Sequence, residues 1–353
     1  MKWLMLLHRW TGGIIGLMLA LMGLTGAILS VKNWWIAVPG GWEVRAQTVD
    51  EIIRVSQTVL AGKTDNAGLI FAGDGFGLHE FRAEKGVGGY VDANGQMVAQ
   101  WNSIWDRPEL WLFDFHHYLF SDKPGAIVVG ILGLIGLGFI ITGTILWWRT
   151  RKTFEWRLWP RRLSRPAIVR HHRDLGIVVA PILFLSCFTG ALLTLDPFAA
   201  LVLRPFSTAE EMEGAIAPPK GSYGAVGRKT DVGVMIAQAH ALFPDAEFRI
   251  LSLPRKPGAP VSLRMKQPSE WLPNGRTMLW FDAADNRVID TRDANKFPRG
   301  LKLFNMAYPL HSGKVGGIVW QLVIMFTGLS LTLLGSLSVW SFWVKAGRKA
   351  PAY

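Results

Sequence analysis

The chain is 353 residues long, half of them hydrophobic and only 18% charged, which is too apolar for an ordinary soluble domain. Its formal net charge of +12 would suit a nucleic-acid binder, but the basic residues gather in short segments beside apolar runs, so no nucleic-acid partner is expected. The single cysteine, Cys187, excludes internal disulfides, thiolate-held iron–sulfur clusters and zinc fingers, which leaves histidine or carboxylate to hold any metal.

The first apolar run, roughly Trp10–Val31, is long enough to cross a bilayer. Lys2 and Arg9 precede it, yet about twenty apolar residues exceed a signal-peptide core, and no small-x-small cleavage site follows before Trp34-Trp35. It reads as an anchored helix. In the loop that follows, Thr48–Ala61 has the spacing of an amphipathic helix, with Val49, Ile52, Ile53, Val55, Val59 and Leu60 on one side. Short strands are predicted at Leu78–Arg82 and Gly89–Val91, then a turn at Asp92-Ala93-Asn94-Gly95 leading into Gln96–Ala99. A second span follows at Pro124–Trp148.

Between Arg149 and Arg173 stand nine basic residues and one acid, Glu155, so the positive-inside rule places this segment in the cytoplasm. The third span is Leu175–Leu195. Beyond it, Ser207–Gly227 is rich in small residues and proline and reads as a mobile connection. Asp231–Phe243 reads as a helix capped by Asp231, followed by strands at Phe248–Leu253, Val261–Lys266 and Thr277–Phe281. A turn at Asp282–Asn286 then leads into a strand ending at Asp290. The fourth span, Val315–Val344, is followed by Lys345, Arg348 and Lys349, which the same rule puts inside.

The expected fold is a membrane α-helical chain of four transmembrane helices in two repeated halves, with two outer α+β domains. The layout is helix 1 over 1–31, a first outer domain over 32–123, helix 2 over 124–148 and a basic cytoplasmic loop over 149–173. It continues with helix 3 over 174–196, a second outer domain over 197–313, helix 4 over 314–344 and a tail over 345–353. Both termini are expected in the cytoplasm and the helices among membrane lipid.

Six of the eight histidines fall at membrane boundaries: His8 and the His171-His172 pair at the inner side, the His116-His117 pair and His311 at the outer side. His79 and His240 fall in the outer domains and read as surface or packing residues. His8 and His172 each have Gly four residues on and Thr-Gly seventeen and eighteen residues on: Thr25-Gly26 and Thr189-Gly190. Ionisable residues at membrane depth are costly and tend to be functional. Zinc or copper would ask for a third or fourth ligand, in which these spans are poor, whereas haem needs two axial imidazoles and an apolar slot that glycine-rich helices can open. Gly12, Gly13, Gly16, Gly176, Gly313, Gly316 and Gly317 supply small residues near the histidines, and Arg9, Arg170, Arg173 and Lys314 are candidates to meet haem propionates.

His8-Arg9-Trp10-Thr11-Gly12, Phe115-His116-His117-Tyr118-Leu119-Phe120 with Pro124-Gly125, His172-Arg173-Asp174-Leu175-Gly176, and Leu310-His311-Ser312-Gly313-Lys314-Val315-Gly316-Gly317 resemble the four helix signatures of the PepSY-associated transmembrane family. The outer units resemble its PepSY-type domains. The resemblance covers nearly the whole chain and implies a bacterial inner-membrane protein, multi-pass, linked to iron supply. Members include ferric-siderophore reductases such as the ferrioxamine reductase, with two b-type haems held by histidines at these helix ends. On that likeness His8, His172, His116 and His311 are the cofactor-binding positions, with His117 and His171 as neighbours that could substitute. The implied activity is that of a haem-dependent oxidoreductase reducing a periplasmic ferric siderophore from Fe3+ to Fe2+. Its electrons would come from a separate donor, a quinol or a reductase at the basic loop. Arg255, Lys256, Arg264 and Lys266 could meet an anionic chelate, although a solvated strand face accounts for them too. The alternative is a non-enzymatic envelope sensor or assembly factor whose boundary histidines bind a transition metal or are structural. A metal permease fits poorly, because the spans hold few carboxylates.

Overall fold

The computed structural model describes residues 1–343; Val344, Lys345, Arg348 and Lys349 lie outside the described residues. In chain order the first half comprises α1 (Lys2–Ser30), α2 (Lys32–Trp35), α3 (Val49–Leu60), β1 (Gly68–Ile70), β2 (His79–Arg82), β3 (Gly88–Val91), β4 (Met97–Trp101), α4 (Pro108–Tyr118) and α5 (Asp122–Trp148). The second comprises α6 (Arg165–Thr194), α7 (Asp196–Leu203), α8 (Ala209–Ile216), α9 (Val232–Leu242), β5 (Glu247–Ser252), β6 (Val261–Lys266), β7 (Thr277–Phe281), β8 (Val288–Arg292), α10 (Arg299–Ser312) and α11 (Gly317–Trp343). Helices α1, α5, α6 and α11 are each long and apolar enough to cross a membrane. The chain divides into two compact units, a helical one (1–31, 112–199 and 310 onward) and a sheet-bearing one (32–111 and 200–309).

In the helical unit α1 packs along α11, and α5 along α6. Glycine permits both approaches, as it does wherever apolar helices meet without a hydrophobic drive between them. A Cβ on Gly23 would lie 2.6 Å from the Gly328 carbonyl oxygen, so the two backbones touch. On the other pair, a Cβ on Gly136 would lie 2.7 Å from Cys187 Sγ, which gives the lone cysteine a packing role.

The His116-His117 and His311 segments are not the ends of spans two and four, as expected, but belong to separate helices, α4 and α10. Two breaks separate them from α5 and α11. Leu119, Phe120 and Asp122 adopt positive φ (47°, 58° and 49°), and Gly313, Gly316 and Gly317 do the same at 77°, 71° and 65°. Left-handed backbone ends a helix, and the glycine cluster was the visible sign of the second break.

The sheet-bearing unit corrects a second expectation. The two loops do not form two domains; they contribute four strands each to one antiparallel sheet, ordered β4-β3-β2-β1-β5-β6-β7-β8. β1 pairs with β5 in the register Gly68↔Ser252, Leu69↔Leu251 and Ile70↔Ile250. Either half alone would leave β1 or β5 as an open edge of unpaired N–H and C=O groups. One face buries Leu69, Phe81, Val91, Leu251, Leu263 and Leu279 against Ile52 and Val55 of α3 and Met235 and Ile236 of α9. Thr48 caps α3 by accepting from Glu51 N–H, and Asp231 caps α9 by accepting from Gly233 N–H. Ser207–Gly227, expected as a mobile connection, contains α8, started by a reciprocal Thr208–Glu211 capping box.

Replacing Gly23 with valine should destabilise the helical unit by about 1–3 kcal/mol through overpacking. Gly138→Ala, on a glycine facing open space, should be neutral; thermal unfolding of the detergent-solubilised protein measures both.

Candidate functional site

The helical unit gathers four of the six boundary histidines into two facing pairs. His8 on α1 faces His172 on α6, with ring centroids 6.2 Å apart and planes at 85°. His116 on α4 faces His311 on α10, again at 6.2 Å, with planes at 45°. The remaining two turn elsewhere. His117 stacks on Phe113 at 4.5 Å, and His171 is fully buried with its Nε2 against the Leu158 carbonyl at 3.2 Å.

Three rings are anchored at Nδ1 by a threonine of a neighbouring helix. His8 meets Thr142 Oγ1 at 2.8 Å, His116 meets Thr25 Oγ1 at 2.9 Å, and His311 meets Thr189 Oγ1 at 3.1 Å. Each hydroxyl already donates its only hydrogen to a carbonyl one turn back: Gly138, Leu21 and Leu185 respectively. The histidine must therefore be the donor, Nδ1–H to Oγ1. His311 Nδ1 also lies 3.0 Å from the Ser186 carbonyl, which can only accept. These contacts select the tautomer in which Nε2 carries the free lone pair. No hydrogen bond is formed at Nε2 of His8, His116 or His311 among the described residues. His172 differs, because its Nδ1 is buried without a completed hydrogen bond, although the Leu334 carbonyl lies close to the ring.

The sequence pairs Thr25-Gly26 and Thr189-Gly190 thus have a structural meaning that their spacing alone did not reveal. The third pair, Thr142-Gly143, was missed because no histidine stands seventeen residues before it. Arg173, expected at a propionate, is instead committed to Asp174 at 2.6 Å and to Thr153 at 2.7 Å (Oγ1) and 2.6 Å (carbonyl oxygen). Asp174 is fully buried and also bonds Arg157, so it clamps the basic segment onto α6. Arg9 lies over the Phe342 ring at 5.5 Å, and Arg170 is exposed. Gly176 faces open space, whereas Gly12 contacts Phe139 and Ser338. Among the described residues no group of three or more His, Cys, Asp or Glu converges as a metal site. What the bundle offers is two sites of two imidazoles each.

In the sheet-bearing unit, His79 is buried rather than on the surface. Its Nδ1 accepts from Ala72 N–H and its Nε2–H faces Glu51 at 3.2 Å, while Arg45 holds the same carboxylate in a two-pronged pair. Burial holds the His79 imidazole below its ordinary pKa despite the carboxylate beside it. Burial alone would raise Glu51, but Arg45 and then His79 outweigh it and hold the carboxyl low. Arg264, considered for a chelate, donates to the Gly275 carbonyl at 2.7 Å.

Four apolar helices with paired histidines define a polytopic membrane protein that brings imidazoles together in pairs inside its bundle. The chain matches the model of the PepSY-associated TM region over residues 5–345 and belongs to that family. No curated protein matches it significantly.

Two outcomes follow. Asp174→Asn should cost about 3–5 kcal/mol by leaving two guanidinium groups without their buried partner, seen as faster proteolysis between α5 and α6. In the sheet-bearing unit, the depressed pKa values of His79 and Glu51 mean that the unfolded chain takes up protons before the folded one. Stability should be full above the unfolded histidine value, about 6.5, and fall as pH drops through and below it, with His79→Gln flattening the upper part of that loss.

Proposed function

We propose that this chain is a di-haem b inner-membrane reductase that passes electrons across the bilayer to a ferric siderophore or other ferric chelate. The observation that carries the reading is the paired spacing. An imidazole–metal bond is about 2.0 Å, and ring bonds of about 1.3 Å put each nitrogen about 1.1 Å from the ring centroid. Two imidazoles sharing one ion would stand within about this reach of each other, and the centroids of both pairs lie 6.2 Å apart. The chemistry of the donor set agrees, since three of the four ligands keep Nδ1 engaged and Nε2 open. His8 and His172 would hold one haem and His116 and His311 the other, with His117 and His171 outside the ligand set. When bound, haem supplies a one-electron iron couple.

The chain's own part is placement. His8 and Thr25, the anchor of His116, lie seventeen residues apart on α1, about 25 Å along a helix. The two sites therefore sit near opposite edges of a hydrocarbon core about 30 Å thick. α6 repeats the arrangement with His172 and Thr189, which supports two repeated halves. With both termini in the cytoplasm, the His8–His172 pair is the inner site, next to the basic segment where a reductase would dock or a quinol would enter. The His116–His311 pair is the outer site. Reduction of Fe3+ to Fe2+ weakens its hold by hard oxygen ligands, and the metal leaves the chelate.

The purified protein should show a reducible b-type absorption spectrum with two haems per chain. His8→Ala or His172→Ala should remove one, His116→Ala or His311→Ala the other, and His117→Ala neither. A protein that stays colourless when expressed with haem would sink the reading and favour the non-enzymatic envelope sensor or assembly factor.

A further inference from the structure

The geometry points to a built-in inequality between the two sites: Thr25, Thr142 and Thr189 act as positioning residues for three imidazoles, while no threonine meets His172, whose ring has the Leu334 carbonyl close by. The inference rests on the two-haem reading and concerns how this chain's residues set the two sites apart. Both members of the outer pair, His116 and His311, are anchored; of the inner pair, only His8 is.

Each anchor has two parts. The threonine accepts Nδ1–H, which fixes the ring and makes Nε2 a stronger donor. The glycine after it lets the ring lie against bare backbone. A Cβ on Gly26 would lie 3.0 Å from His116 Cε1, one on Gly190 3.1 Å from His311 Cε1, and one on Gly143 3.4 Å from His8 Cε1. A side chain at the first two would push the ring away from its threonine. The spacing also has a reason: eighteen residues make about five helical turns. Gly26 therefore returns to the face of α1 that carries His8, and Gly190 to the face of α6 that carries His172. One helix thus supplies a ligand to one site and the cradle for a ligand of the other.

Threonines in apolar helices commonly bond a carbonyl one turn back, so that bond alone means nothing. Thr327 makes it, to Val323 at 2.7 Å, but the Gly328 that follows packs against α1 and no histidine is involved. Among the described residues, the three threonines that touch an imidazole are those that combine both roles. A stronger imidazole donor favours the oxidised iron, so the doubly anchored outer site has the lower midpoint potential.

The test uses the whole purified protein with haem bound, titrated potentiometrically by visible absorbance, with low-temperature EPR of the oxidised form. Thr25→Val and Thr189→Val remove the acceptor with little change of shape. Both haems should remain, the outer midpoint should move positive and its EPR signature change, and the serine variants should return toward wild type. Thr142→Val should move the inner midpoint instead, and Thr327→Val should move neither. Valine variants that keep both haems with unchanged midpoints and EPR signatures overturn the inference, as does a haem loss that serine does not restore. Wild-type protein without haem overturns the two-haem reading itself, which separates the two failures.

Discussion

The hydrogen bond from an imidazole Nδ1 to a threonine hydroxyl on a neighbouring helix is the constraint on which the helical unit turns. An imidazole taken out of water must find partners for its polar atoms, because an unpaired buried donor costs about 1–3 kcal/mol. Engaging Nδ1 across a helix interface removes that cost at one nitrogen and leaves the other bare. It also ties helices together, since α1 is linked to α5 through His8–Thr142 and to α4 through Thr25–His116, and α6 to α10 through Thr189–His311. Glycine contacts bring the backbones of α1 and α11 together as well.

The sheet-bearing unit obeys a different constraint, the need to close strand edges. β1 is only three residues long and its register on β5 is set by Leu69 opposite Leu251, both fully buried. A one-residue slip would turn Leu69 out of the core that α3 and α9 cover. The union of the two loops therefore follows from the same alternation that defines each strand.

Much of this was legible in the sequence. Long apolar runs announce spans because backbone polar groups in lipid must be satisfied within the segment, and β6 and β7 have the bounds their alternation predicted. β1 was not legible, because Gly68-Leu69-Ile70 is too short to show a period. Nor was the separation of α4 from α5, since Leu119, Phe120 and Asp122 adopt left-handed backbone without a glycine. That His172 rather than His171 faces His8 was legible through its spacing to Gly176 and Thr189-Gly190, which His171 does not share. That His116 rather than His117 turns toward His311 goes with a contact to Thr25, ninety-one residues away, which no local spacing encodes.

His172 shows how a ring without its own anchor can still be placed. Its neighbours are fixed on both sides: His171 reaches the Leu158 carbonyl, and Asp174 is gripped by Arg157 and Arg173. Those contacts hold the backbone of α6 against the basic segment, so the Cα of His172 is set even though its Nδ1 forms no hydrogen bond of its own. The ring itself lies 6.2 Å from that of His8, with the Leu334 carbonyl close by. Gly176, one turn further on, faces open space. Three imidazoles are thus held to threonines through their rings, and the fourth is placed by the helix that carries it.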